Sequence, residues 1–569
     1  MTERDRAGAV VIGATILTGV LVTVFLLRFR PALTVLGNVA RPAVAAAGVV
    51  LTAWAAGWVA ITVARRLARR WQPAAEAEGA APIDLSDALL IGYAAFGTVV
   101  GLVAWLGVGL DAVVANLLIV GGGAGVFIAW RERAVWWKPS LSGPTAAILA
   151  IPILFGIIGA ITPVNSPDEL VYKLGVPRGY QLHGQMVEMP LNANSYLVLA
   201  LHLTDLAALI AGGGMAAKLA RFALFLASLA AVHRVARRLA PQLPAAVTGV
   251  IAYTPALMLI AGWCWSEWPV LGLLLVAFEH YQRWLERRSA DHAATMFLAL
   301  GAALACKYSA LPWLFAVSIL LLYRHRQEKR FLAAGSAITI FSGGFFYLRN
   351  LIWTGSPLAP LLLPDAPAVA NYRGGAWYSG WTDFLRGIDL FDRNVVDESM
   401  GPLLLVAFAA GLFALRSGRG AIRDLAFIGA LQMPILLTFA PGSRNMLNGA
   451  VPLAMAGTAI VAGAWLAAPR LLRVGSVIVA AVAALAQTSL VLFALESYDL
   501  GAYLAGRETA AQYILRIRDF SRPYAWINTL TPPSSRVLLL AENRPFYLNR
   551  RFIAAGNHDG MRVARWLAR

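Results

Sequence analysis

Two adjacent acids, Asp168 and Glu169, lie in a polar stretch that also carries cations and aromatic residues. The stretch reads SPDELVYKLGVPRGY, follows an apolar run, and contains Tyr172, Lys173 and Arg178. A carboxylate can take a proton from an attacking hydroxyl group while cations hold a departing phosphate. This combination favours group transfer from an anionic lipid, although an acid at a membrane interface can equally be solvated and idle.

Three further cations lie near the ends of apolar runs. Lys307 occurs in ACKYSALP, Arg349 in YLRNLIWTGSPLAP and Arg444 in SRNMLNGAVP. If all three lie at one membrane depth, they form a cationic pocket suited to phosphate. The alternative for each side chain is that it extends to the lipid head groups and has no further role.

Other polar and aromatic residues could contact a substrate. Glu267 lies in the turn GWCWSEWP, where it either bonds a substrate hydroxyl group or faces water. Trp377 and Tyr378 lie among aspartates, a mixture that suits sugar stacking, although aromatic belts at membrane interfaces have the same composition. His202 lies on an apolar face and is expected to pack there.

The composition indicates a membrane protein. Of 569 residues, 59% are hydrophobic and only 14% are charged, which excludes an ordinary soluble enzyme. The net charge of +18 is explained by basic cytoplasmic loops and anionic lipids, and it requires no nucleic acid. Two cysteines, Cys264 and Cys306, are too few for a thiolate metal cage, and whether they pair is left open.

The apolar runs predict fifteen membrane-spanning helices. They lie near residues 8–27, 43–64, 88–108, 111–130, 145–162, 215–233, 245–262, 266–283, 294–306, 308–323, 330–348, 399–416, 424–440, 447–467 and 474–495. The Lys and Arg residues of the loops place the N-terminus inside and the candidate chemistry outside. This assignment requires that the apolar stretch 195–212 does not span the membrane.

Three regions follow from this arrangement. Residues 1–140 form an N-terminal segment of four spans, and residues 141–495 form a transmembrane core. The core has two long outer loops, 163–214 and 349–398. The polar residues 496–569 predict a small extracytoplasmic α/β cap with two short strands.

The chain resembles bacterial lipid-carrier-dependent glycosyltransferases of the GT-C superfamily, which includes protein O-mannosyltransferases and the aminoarabinose transferase of lipid A. The resemblance covers roughly residues 145–569 and depends on the order of several short pieces. These are SPDELVYKLGVPRGYQLHG, AAKLARFALFLASLAAVHRVARRL, ACKYSALP, YLRNLIWTGSPLAP, SRNMLNGAVP and the segment from GRETAAQYILRIRDF to RPFYLNRRF.

The resemblance implies an all-α polytopic fold with a GT-C-like core and an inverting sugar transfer from a polyprenyl-phosphate donor. Asp168 is then the general base, with Glu169 in support. The cations implied for the donor phosphate are Lys307, Arg349 and Arg444. The candidate substrate-binding residues are Tyr172, Lys173, Arg178, Glu267, Trp377 and Tyr378.

The same reading sets expectations for location and partners. The protein is expected in the bacterial inner membrane among membrane lipids, with its active site facing the periplasm or cell exterior. The acceptor is a glycan, a lipid or a protein, and neither it nor the sugar is specified by the sequence. No cofactor is expected, while a divalent metal is left open.

The main alternatives are a transporter or flippase of lipid-linked glycans and a glycan ligase. A transporter should show an inverted repeat and charged or broken helices at mid-membrane. The sequence shows no clear repeat, and its ionisable residues lie mainly at the ends of the predicted spans. These observations favour the transferase.

Overall fold

The computed structural model describes residues 33–71, 82–132, 143–361, 396–439, 443–539 and 542–554, and these are almost entirely helical. Long apolar helices satisfy their own backbone hydrogen bonds, which is what a lipid environment requires. The helices are α1 (Leu33–Trp71), α2 (Leu85–Leu106), α3 (Leu110–Arg131), α4 (Gly143–Ile161), α5 (Gly175–His183), α6 (Ala200–Leu239), α7 (Pro244–Ala252), α8 (Pro255–Leu259), α9 (Glu267–Arg287), α10 (Ala290–Cys306), α11 (Leu311–His325), α12 (Lys329–Gly343), α13 (Phe345–Thr354), α14 (Gly401–Ser417), α15 (Ala421–Phe439), α16 (Ser443–Ala467), α17 (Arg470–Ser497), α18 (Gly501–Leu504), α19 (Ala510–Ile517) and α20 (Ser521–Leu530).

The protein is a multi-pass α-helical membrane protein. Among the described residues, 7 helices are long and apolar enough to cross a bilayer, or 10 if each of three bent pairs forms one span. The fifteen predicted spans therefore exceed the helices that meet this criterion. The first predicted span, 8–27, lies outside the described residues.

Two of the predicted spans, 245–262 and 330–348, correspond to bent pairs of helices. The first is bent by 74° and the second by 64°. The first bend lies before Pro255, which lacks an N–H group and disfavours helical geometry at the preceding residue. The second lies at adjacent glycines, Gly343 and Gly344, where helix propensity is low.

Helix α6 doubles back on itself at Gly213, whose φ is 78°. Asp205 and Arg221 lie 16 residues apart, yet Arg221 Nε donates to Asp205 Oδ1 at 2.8 Å. A straight helix would separate them by about 24 Å. The two arms therefore run antiparallel on either side of Gly213. The expectation that 195–212 does not span the membrane stays a prediction.

One end of the helical bundle is held by ion pairs. Arg234 donates to Asp84 at 2.9 Å and to Glu279 at 2.7 Å, and it also pairs with Asp87. Arg234 thereby joins α6 to α9 and to the start of α2. The predicted topology places this basic loop on the cytoplasmic side, opposite the candidate chemistry.

The C-terminal region contains the two predicted strands and short helices. The strands β1 (Arg536–Leu539) and β2 (Arg551–Ala554) pair in parallel, with Arg536 opposite Arg551. We call the described residues 496–539 and 542–554 the cap. The two cysteines, Cys264 and Cys306, are free and buried.

Candidate active site

Asp168 lies at the start of a single π-helical turn, Glu169–Lys173, which follows the end of α4. The turn is closed by a hydrogen bond from Leu174 N to Glu169 O at 3.0 Å. The turn brings the Tyr172 hydroxyl group back to Asp168 Oδ2, to which it donates at 3.0 Å. Such isolated π turns occur frequently at functional sites.

The contacts of Asp168 all fall on one carboxylate oxygen, Oδ2. Besides Tyr172, this oxygen accepts from Arg444 Nη2 at 3.1 Å and lies 3.5 Å from Lys173 Nζ. Within the residues that the structure describes, Oδ1 forms no hydrogen bond or ion pair. The side chain is 22% exposed. Oδ1 is therefore open to a ligand.

The surrounding cations keep Asp168 ionised. Burial alone acts to raise the pKa of Asp168, but the charges of Arg444 and Lys173 outweigh it and hold the pKa below its usual value. The hydrogen bond from Tyr172 acts in the same direction. Asp168 is thus a carboxylate at neutral pH and can accept a proton.

Lys173 is a cation in a nearly dry environment. Burial lowers the pKa of Lys173 to about 8, although Glu267 and Asp168 oppose this shift. Its ammonium group lies 3.7 Å from the centre of the Trp265 ring. The charge of Lys173, and hence its effect on Asp168, is lost just above neutral pH.

Two more acids complete a set of alternating charges around the site. Lys307 Nζ donates to Glu267 Oε1 at 2.7 Å, and Glu267 Oε2 is buried with no hydrogen-bond partner among the described residues. Arg444 pairs with Glu398 at 3.4 Å as well as with Asp168. The structure therefore brings together six of the candidate residues predicted from the sequence. These are Asp168, Tyr172, Lys173, Glu267, Lys307 and Arg444.

Trp265 is part of this cluster and was missed by the sequence reasoning. Its ring lies under Lys173 and also 4.3 Å from the guanidinium carbon of Arg444, while its Nε1 donates to Ser166 Oγ at 3.1 Å. The indole therefore fixes both cations that contact Asp168. The dense aromatic turn GWCWSEWP is the available signal, and Glu267 is the only candidate predicted from it.

Glu169 does not join the cluster. Its carboxylate is fully buried and accepts a hydrogen bond from Cys264 N at 2.7 Å, while Oε2 has no partner within the described ranges. Glu169 thus anchors the turn that carries Trp265. Adjacency in sequence suggested a joint role with Asp168, but the π turn directs the two side chains to different partners.

Arg349 is buried apart from these acids. It donates to Leu197 O at 2.8 Å and to Asn350 Oδ1 at 2.7 Å, and its guanidinium carbon lies 5.0 Å from the Trp353 ring centre. Its Nη1 has no hydrogen-bond partner in the described part of the chain. In the described part of the chain Arg349 contacts no carboxylate, whereas the other two predicted phosphate-binding cations, Lys307 and Arg444, each pair with one.

The remaining predicted site residues lie elsewhere. Arg178 donates to Asn549 Oδ1 at 2.8 Å and so faces the cap. Trp377 and Tyr378 lie outside the described residues. No group of three or more His, Cys, Asp or Glu side chains suited to a metal ion occurs among the residues that are described.

His202 has polar partners rather than the expected apolar packing alone. Its Nδ1 lies 3.1 Å from Arg221 Nη2, and its Nε2 lies 3.3 Å from Ser266 Oγ. A buried network thus connects the Asp205–Arg221 pair to the turn that carries Trp265. Asp205, an acid three residues after His202 in the same apolar run, is the signal that argues against packing alone.

The geometry defines a polytopic helical membrane protein with a buried, charge-alternating site. No protein-family model and no curated protein sequence matches the chain. Among solved structures, it is similar to the crystal structure of ArnT from Cupriavidus metallidurans in the apo state. The sequence identity is 16%, the match covers 75% of this chain and 88% of that chain, and the TM-score is 0.46. A similarity of this extent supports no statement about activity.

The pKa of Lys173 predicts a pH effect on any chemistry at Asp168. Turnover should fall as the pH rises through about 8, because Lys173 then loses its proton and its charge beside Asp168. Lys173→Arg should move this alkaline limb upward by at least about one pH unit, since a guanidinium group remains charged. Lys329→Arg, the same change at an exposed lysine outside the candidate site, is the control and should leave the limb unchanged. An unmoved limb in Lys173→Arg would exclude Lys173 as its origin.

Proposed function

We propose that the protein is an inverting membrane glycosyltransferase that moves a sugar from a polyprenyl-phosphate donor to an extracytoplasmic acceptor. The observation that carries this proposal is that neighbouring cations keep Asp168 ionised while its Oδ1 has no partner among the described residues. A carboxylate in this state suits general-base catalysis at a hydroxyl group. It serves a transporter less directly, since transport requires no proton acceptor at one fixed point.

The proposed reaction is a single displacement. The acceptor hydroxyl group donates its proton to Asp168 Oδ1 while its oxygen forms a bond to the anomeric carbon. The bond between that carbon and the phosphate oxygen breaks, and its electron pair leaves with the polyprenyl phosphate. Attack and departure occur on opposite faces of the sugar, so the anomeric configuration inverts.

Arg349 is the first candidate for the donor phosphate. Within the described ranges Arg349 contacts no carboxylate; a buried guanidinium group without one is costly, and a phosphate would supply the missing charge. Lys307 and Arg444 were predicted for the same role. Each of them already contacts a carboxylate, which neutralises part of its charge.

Other residues of the cluster are assigned supporting roles. The unpartnered, buried Oε2 of Glu267 can accept a hydrogen bond from a hydroxyl group of the donor sugar. Tyr172 donates a hydrogen bond to Asp168 and Lys173 pairs with it, so both are proposed to border the bound substrate. Glu169 is proposed as a positioning residue through Cys264 N. Substrate contacts by Arg178, Trp377 and Tyr378 remain predictions.

The outward location of the site is part of the proposal. Nucleotide sugars are absent outside the cytoplasm, so an outward-facing transferase must draw on a donor that has already crossed the membrane. A polyprenyl-phosphate sugar keeps its chain in the lipid and its sugar at head-group depth. The proposed site lies in the bacterial inner membrane and faces the periplasm or cell exterior.

Asp168→Asn tests the role of the base. The variant keeps the size of the side chain but cannot take up the proton, so turnover should fall about 100-fold or more while the donor still binds. The assay is sugar transfer by the purified protein from the lipid-linked sugar that accumulates in cells lacking it. Asp519→Asn, at an exposed acid of the cap, is the control. Near-normal turnover in Asp168→Asn would contradict the assignment.

Arg349→Ala tests the donor site. Loss of this cation should weaken donor binding and cost about 2–4 kcal/mol of transition-state stabilisation, the scale for one group in a dry site. Arg349→Lys should restore activity only in part, because lysine lacks the paired donors of a guanidinium group. Arg419→Ala, at an exposed loop position, is the control. Unchanged kinetics in both Arg349 variants would leave Arg349 with a structural role only.

A further inference from the structure

The turn that precedes Asp168 is held by side chains from distant parts of the chain. Helix α4 ends at Ile161, and carbonyl groups at the end of a helix lack partners within it. Five consecutive carbonyl oxygens, those of residues 161–165, each accept a hydrogen bond from a side chain. The donors are Tyr503 Oη to Ile161 O at 3.1 Å, Lys218 Nζ to Thr162 O at 2.9 Å and to Pro163 O at 3.3 Å, Tyr547 Oη to Val164 O at 2.7 Å, and Arg518 to Asn165 O.

Three of the four donor side chains belong to the cap. A further contact runs in the opposite direction, since Asn165 Nδ2 donates to Tyr513 Oη at 2.6 Å. The Tyr513 hydroxyl group in turn donates to Tyr498 O at 2.7 Å. The cap therefore forms hydrogen bonds with both the backbone and a side chain of the turn that leads into Asp168.

Apolar packing of the cap supports these bonds. Phe546 lies so close to Gly214 that a Cβ atom there would be 3.3 Å from its ring, and Val164 would be closer still. Pro545 lies against Gly175, directly after the π turn. Residues Pro545–Tyr547 therefore fit between the π turn and the second arm of α6.

We propose that the cap positions the general base, with Tyr547 and Arg518 as positioning residues that act through Asp168. Asn165, whose carbonyl group accepts a hydrogen bond from Arg518, precedes Asp168 by three residues. Ser166, which lies between them, accepts a hydrogen bond from Trp265. A displacement of 1 Å at a reacting group can cost about 100-fold in rate. This inference rests on the proposed role of Asp168 as the base.

Tyr547→Phe tests the inference with the smallest possible change. It removes only the hydroxyl group that donates to Val164 O and keeps the ring that packs with Phe546. We expect kcat to fall about tenfold, while the KM for the lipid-linked donor stays within about twofold. The melting temperature of the variant is measured in parallel to exclude unfolding.

Tyr524→Phe is the matched control. Tyr524 is also a buried tyrosine of the cap, but its hydroxyl group has no hydrogen-bond partner among the described residues. Its removal should leave kcat unchanged. An equal loss in both variants would show that any buried phenol of the cap affects turnover, and it would overturn the specific role of Tyr547.

A double-mutant cycle separates this inference from the proposed function. If Tyr547 acts through the base, Tyr547→Phe should cost little in the Asp168→Asn background, because the group being positioned is already disabled. The same tenfold loss in both backgrounds would overturn the inference. Full activity of Asp168→Asn alone would instead contradict the proposed function, whereas a normal Tyr547→Phe with an inactive Asp168→Asn would contradict only the role of the cap.

Discussion

The site depends on keeping an ionised Asp168 inside a largely dry protein. A buried carboxylate is strongly disfavoured unless cations and hydrogen-bond donors surround it. Arg444 and Lys173 supply the charge, and Tyr172 supplies a hydrogen bond, all on one oxygen. These cations are themselves buried and require acids of their own. The alternation of charge across the cluster follows from this requirement, and it leaves Asp168 Oδ1 as the oxygen open to chemistry.

The same cost of burying a charge applies to Arg349. Lys307 and Arg444 each have a carboxylate partner, so the cluster around Asp168 is close to electrical balance. Among the described residues, Arg349 is buried with neutral partners, and its Nη1 has no hydrogen-bond partner. A reaction with an anionic leaving group needs two features. One is a charge-balanced cluster that holds the base, here around Asp168, and the other is a cation without an acid partner, here Arg349 within the described residues. The sequence places these residues near span ends but cannot show which cations are already neutralised.

Much of the fold could be predicted from the sequence, because apolar runs and short-range turns are local signals. The acidic stretch around Asp168 and the cation at Arg444 were found for this reason. Their contact joins residues 276 positions apart, and no local pattern encodes it. The reversal of α6 at Gly213 and the divergence of Glu169 from Asp168 also depend on tertiary packing. Trp265 could not be predicted from local sequence, because its role depends on the tertiary contacts that bring Lys173 and Arg444 to its ring.

The most direct test of the account is a structure of the protein with polyprenyl phosphate bound, which requires no knowledge of the sugar. The account predicts a phosphate oxygen within hydrogen-bond distance of Arg349 Nη1, with Asp168 Oδ1 facing the space beside the phosphate where a sugar would lie. A phosphate bound away from Arg349, with Asp168 Oδ1 turned from it, would contradict the account.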